Sequence, residues 1–163
     1  MTPATNGRIA GATFLIYIVA GLTSMAWASR PHILAVVLQL VMWLSALTLG
    51  VTLYSLTKHQ NRELAMLGML ARVSEALSSE MLFSATYFAV GSTLFCWLLL
   101  RGRIIPAALA WIGLVASIIL VVFLPLQIAG LVSGVITKLV FVPMAAFEIP
   151  VGIWLLVKGV RVQ

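Results

Sequence analysis

Residues 33–57 and 104–128 each run without a charged side chain, and at about 25 residues they exceed the ~20 apolar residues that a helix needs to cross a bilayer core. In lipid, every backbone N–H and C=O must be paired within one helix or around a closed barrel. Barrel strands alternate polar and apolar with period two. These stretches are apolar on every side, so helices are the only option. Composition agrees: 63% of residues are hydrophobic and 9% charged, with a mean hydropathy of +1.16. A soluble domain carries about 25% charge, and disorder needs low hydrophobicity. Both classes are excluded. The expected fold is an all-α polytopic transmembrane helix bundle, with residues 1–163 as a single transmembrane domain. No internal repeat is visible, and the loops are too short for a soluble domain.

Five spans are plain, at about 9–28, 33–57, 81–100, 104–128 and 135–157. The first has a signal-peptide outline: Arg8, an apolar run, then Ala26-Trp27-Ala28 as a small-x-small site. It is long enough to cross, and is read as the first span. A sixth candidate, 62–79, is short and carries Arg72 and Glu75. The alternatives are six spans, or five spans plus one interfacial helix. The positive-inside bias decides between them. Six spans put Arg8, Lys58, Arg62, Arg101, Arg103, Lys158 and Arg161 on one side, against Arg30 and Lys138 on the other. Five spans divide the basic residues evenly and leave no bias. Six spans are therefore expected, in the cell (inner) membrane, with N and C termini both cytoplasmic.

The acidic residues sharpen this expectation. Glu63 and Glu80 fall at span ends, where solvation is easy. Glu75 and Glu148 do not, and a charge at mid-span costs about 2.5–3.5 kcal/mol on insertion scales. Arg72 and Glu75 are spaced i,i+3 and share one helix face. Arg72 follows Arg62 by the same interval by which Glu148 precedes Lys158, so both lie about 15 Å from the inner boundary at ~1.5 Å per residue. The expectation is an ion pair between Arg72 and Glu148, with Glu75 slightly further out, since arginine's planar fork can serve two carboxylates. One positive charge meets two carboxyls. Either one carboxyl is protonated, or a cation or a ligand donor completes the site. Such a buried cluster can also do no more than hold two helices in register.

Other features point less far. The net charge of +6 is read as cytoplasmic flanks meeting anionic lipid. No basic run is interleaved with aromatics, so no nucleic-acid partner is expected. Cys96 stands alone and reads as a small buried hydrophobe. His32 and His59 fall on opposite sides of the membrane and share no metal. No metal or cofactor motif appears, and no catalytic one. Gly7-x-x-x-Gly11 and Gly130-x-x-x-Gly134 have packing spacing, but they sit at span ends and read as turns. Pro125, Pro143 and Pro150 would free carbonyls within spans and, with Gln127 and Glu148, could line a cavity; kinked packing is the plainer reading. Trp43, Trp97, Trp111 and Trp154 suit anchor or core roles.

Several stretches resemble one bacterial family of integral membrane proteins, domain of unknown function 4386 (DUF4386). They are Arg8-Ile9-Ala10-Gly11-Ala12 at the start, then Tyr54-Ser55-Leu56-Thr57-Lys58 and Asn61-Arg62-Glu63-Leu64-Ala65 after the second span. Arg72-Val73-Ser74-Glu75 follows, then Arg103-Ile104-Ile105-Pro106-Ala107 before the fifth span. Glu148 with Gly152-Ile153-Trp154-Leu155-Leu156-Val157-Lys158-Gly159 closes the series. The resemblance covers nearly the whole chain, except that the link from Glu75 to Met81 is shorter than in many members. It implies the six-span topology and the Arg72, Glu75 and Glu148 cluster, and it brings no activity with it.

Two functions are expected to compete. One is a small non-enzymatic membrane protein that binds or moves a small apolar or cationic ligand at Arg72, Glu75 and Glu148. The other is a structural or partner subunit, or an oligomer, whose buried charges serve packing only. Membrane lipids are the expected surroundings of either. An intramembrane enzyme would need a nucleophile or metal that the sequence does not offer.

Overall fold

The computed structural model describes residues 2–26 and 31–160, and every regular element among them is helical. The helices are α1 (Pro3–Ala26), α2 (His32–Thr57), α3 (Arg62–Leu77), α4 (Met81–Arg101), α5 (Ala107–Ile128), the single turn α6 (Ile136–Leu139) and α7 (Val142–Lys158). Trp27 and Ala28, expected to end the first span, lie outside the described residues, as do Arg30 and Arg161 of the charge count. The expected last span, 135–157, is broken between α6 and α7. Pro143, in the first turn of α7, has no N–H to offer the carbonyl of Leu139, and it disfavours helix in the residue before it. It therefore starts a helix instead of kinking one, whereas Pro125 and Pro150 sit inside α5 and α7.

Each long helix packs on its chain neighbours, and α7 packs on both α5 and α1, so the six close into a ring. Neighbours run antiparallel. Gly50 of α2 faces Met69 and Arg72 of α3, and Gly91 of α4 faces Gly68 and Arg72. The ends confirm the alternation. Asn6 Nδ2 donates to Ser55 Oγ at 2.8 Å, Gly7 touches Val160, and Gly102 touches Gln60. Both described chain ends thus share one end of the bundle with Arg8, Lys58, Arg62, Arg101, Arg103 and Lys158, which we call the basic end. Lys138 lies at the other.

Five segments are long and apolar enough to cross a membrane: α1, α2, α4, α5 and Ile136–Lys158. The 16 residues of α3 reach only about 24 Å, short of a ~30 Å core. Yet α3 packs as a member of the bundle. It stands upright between α2 and α4. Its outward side chains beyond the first turn are Met66, Leu67, Leu70 and Leu77, while Arg72 and Glu75 point inward. Its start is capped: the Asn61 side chain accepts from Leu64 N at 3.0 Å, and Glu63 sits in the first turn, where the helix dipole favours an acid.

Gly7 and Gly11 are not turn residues. Both lie in α1 against the end of α7, and a Cβ on Gly11 would stand 2.5 Å from the Leu156 nitrogen and 2.7 Å from the Gly152 carbonyl oxygen. Here the packing role of small-x-x-x-small spacing holds. Gly130 and Gly134 are the turn pair, with φ of 74° and 86°. Gly11→Ala should therefore destabilise the protein by about 1–3 kcal/mol through overpacking. Gly21→Ala, whose new Cβ meets nothing nearer than Met42 at 4.0 Å, should leave the melting temperature unchanged or raised. Thermal unfolding in detergent checks the pair. Equal melting temperatures would mean that α1 and α7 do not approach this closely.

Candidate functional site

The inner face of α3 is built from small residues around two charges. Ala65, Gly68, Ala71 and Ala76 are buried with Arg72 and Glu75, so the helix lies close to both neighbours. Two glycines make room for the long arginine stem. A Cβ on Gly50 would come within 3.1 Å of Arg72 Cβ, and one on Gly91 within 3.2 Å of its Cδ. Arg72 and Glu148 are each only 2% exposed and Glu75 3%, so all three ionisable groups are out of reach of bulk solvent.

The pairing differs from the one that depth suggested. Arg72 Nη1 lies 2.8 Å from Glu75 Oε2, within the same helix. The angles are not those of a hydrogen bond, so the contact is a close ion pair. Glu75 Oε1 accepts a second contact, 2.7 Å from the hydroxyl of Tyr17 on α1. The Glu75 backbone carbonyl accepts from Ser84 Oγ on α4 at 3.0 Å. The guanidinium carbon sits 5.2 Å from the Tyr17 ring centre and 5.1 Å from that of Phe88. Those rings stack at 5.8 Å and 11°, so the guanidinium rests against the pair and not between them. Cation–π contacts gain strength when desolvated.

Glu148 remains apart. Among the described residues no salt bridge reaches it, and its Oε1 is buried without a hydrogen-bond partner. Arg72 keeps two unpartnered nitrogens, Nε and Nη2. Glu148 still lies within electrostatic reach of Arg72 and Glu75. In the antiparallel register set by Gly11–Leu156 and Phe14–Gly152, it stands level with Tyr17. Its neighbour Phe147 meets Phe14 edge-on at 6.5 Å and fills the notch left by Gly113 of α5.

Room near this centre is small. A void of about 10 Å³ opens beside Arg72, walled by Phe14, Leu53, Ser92, Cys96 and Leu99 among others; that is space for one water. Neither Gln127 nor any of the three prolines borders it. A larger hollow of about 380 Å³ lies between α1 and α2, lined by Leu15, Ile16, Val19, Leu38 and Val41. It is apolar and belongs to the outer surface.

The family profile of the domain of unknown function 4386 matches residues 77–159, half of the chain. The chain belongs to this family. No curated protein and no solved structure matches it. The DUF4386 match runs from the last residue of α3 through α7. It takes in Phe88, Ser92 and Glu148 and begins just after Arg72 and Glu75.

Tyr17 and Phe88 escape a reading built on charge. Tyr17 follows Arg8 by nearly the interval that separates Arg72 from Arg62, so the same depth argument extends to it. Phe88 carries no comparable signal. Coupling in a double-mutant cycle should follow the observed pairing. Arg72→Met should cost about 3–5 kcal/mol, because it strips the partner from a buried carboxylate. Adding Glu75→Leu should recover more of that loss than adding Glu148→Leu. Tyr17→Phe should cost about 1 kcal/mol, the scale of an interhelical hydrogen bond in a membrane. Thermal unfolding of the variants measures each term, and a stronger coupling of Arg72 to Glu148 would reverse the assignment.

Proposed function

We propose that this DUF4386 protein is a small non-enzymatic protein of the cell (inner) membrane, with both chain ends cytoplasmic, that binds a small cation at Glu148. One observation carries the reading: Arg72 is paired with Glu75, and Glu148 lies buried apart from that pair with an oxygen that no described residue satisfies. An intramembrane carboxyl of this kind marks an ion or proton path in many membrane proteins. The tight packing limits the ligand to a proton or a bare monovalent metal ion. The void of about 10 Å³ beside Arg72 is too small for an apolar ligand. The hollow between α1 and α2 suits lipid chains, which surround the apolar outer face. The gathering of basic residues at one end supports its cytoplasmic placement by the positive-inside rule.

A ligand that binds only the folded state raises stability in step with its concentration. The melting temperature of the purified protein should therefore shift by several degrees across a pH series, or when sodium replaces N-methylglucamine at fixed ionic strength. Glu148→Gln should abolish that response and keep the fold. Superimposable profiles for wild type and Glu148→Gln would sink the proposal.

A second reading, a structural subunit or oligomer, is favoured by the packing of Arg72 against Tyr17 and Phe88 and by the meagre void. It predicts superimposable profiles for wild type and Glu148→Gln, together with a second chain retained in native mass spectrometry.

A further inference from the structure

The void beside Arg72 is off-centre. Its wall includes Arg72 and Phe147 at mid-depth, Ser92 and Cys96, and Leu99, which stands half a turn from the end of α4. Leu53, one turn from the end of α2, completes that side. These residues lie between the charged centre and the basic end. Toward the opposite end stand the contacts of the ion pair. Glu75 is held by Tyr17 and by Ser84, and the Tyr17–Phe88 stack covers the guanidinium.

The chemistry of the void's wall is equally uneven. A buried water needs room for about one probe sphere and two to four polar partners. Arg72 borders the void and has Nε and Nη2 unpartnered at 2% exposure. Ser92 borders it too, and a hydroxyl can both donate and accept. The other wall residues are apolar, save for the thiol of Cys96. Arg72 and Ser92 are thus the polar residues of a wall that is otherwise apolar apart from the Cys96 thiol, and unpaired buried donors such as Nε and Nη2 carry a desolvation penalty that a water would relieve.

We infer that this void is a built site for one water molecule, held by Arg72 and Ser92, and that it exchanges with the basic end of the bundle and not with the opposite end. Its use rests on the reading of Glu148 as a cation site: the water is then the last polar step by which a proton or bare cation reaches the centre, from one side only.

Cys96 is the chain's single cysteine and borders the same void, so its thiol reports on access. The silver ion is thiophilic and about as small as water. The full-length protein is placed in sealed vesicles in one known orientation, and silver nitrate is added from one side or the other. Excess silver is then quenched, the protein denatured, and the remaining free thiol alkylated with N-ethylmaleimide and quantified by mass. Silver given at the basic end should cut alkylation several-fold, and silver given at the other end should leave it unchanged. Ser92→Val, which fills the void and removes the hydroxyl, should abolish the protection while eluting from size exclusion as the wild type does. If that variant fails to fold, Leu53→Phe fills the same void from α2 and takes its place. Equal protection from both sides, protection from the opposite side alone, protection from neither, or protection that survives filling of the void would each overturn the inference. The readout does not involve Glu148, so its failure and a failure of the cation-dependent melting test are separate results.

Discussion

The Arg72–Glu75 pair makes the ring possible, because α3 could not otherwise stand in it. An isolated arginine or glutamate at mid-span is expensive to desolvate. Placed three residues apart on one helix, they meet without help from any other element. The helix then offers lipid an apolar back of Met66, Leu67, Leu70 and Leu77. It enters the bundle as a nearly neutral unit, and the remaining cost is offset by the Tyr17 hydroxyl and the rings of Tyr17 and Phe88. Its shortness matters less once both faces are fixed in this way.

Small residues carry the second half of the design. Gly50 and Gly91 flank the arginine stem, Gly68 admits the ring of Phe95, and Gly113 admits Phe147. Gly11 and Gly152 let α1 and α7 touch and close the ring. Lipid tails are as apolar as leucine, so close backbone approach is a main source of helix association in a membrane. The same glycines that hold the bundle together also keep its interior nearly free of space. The room left beside Arg72 is a void of about 10 Å³.

Charge distribution ties fold to placement. The basic residues at the described helix ends gather where α1 begins and where α2, α4 and α7 finish. The centre sits about halfway along the bundle, with a small void beside Arg72 and the Tyr17–Phe88 stack against its guanidinium. The DUF4386 match, residues 77–159, spans that void's α4 wall and Glu148, while the neutralising pair comes from the helix just before it.

The sequence alone determined the environment, the helical class, the six segments and the shared depth of Arg72 and Glu148, because span length, charge placement and rise per residue are one-dimensional quantities. The short third segment was legible as a bundle member for the same reason, through the sidedness of the basic residues. Tertiary structure decided which carboxyl the arginine takes. Depth fixes how far along the bundle a side chain sits but not its azimuth, and with six helices in a ring, Glu148 at the right level still lies off the direction in which Arg72 turns. Glu75, one turn along the same face, is in that direction whatever the neighbours do. The role of Tyr17 and the packing role of Gly7 and Gly11 depend on which helices become adjacent. The contact of α7 with α1 joins residues far apart in the chain, and no local pattern encodes it.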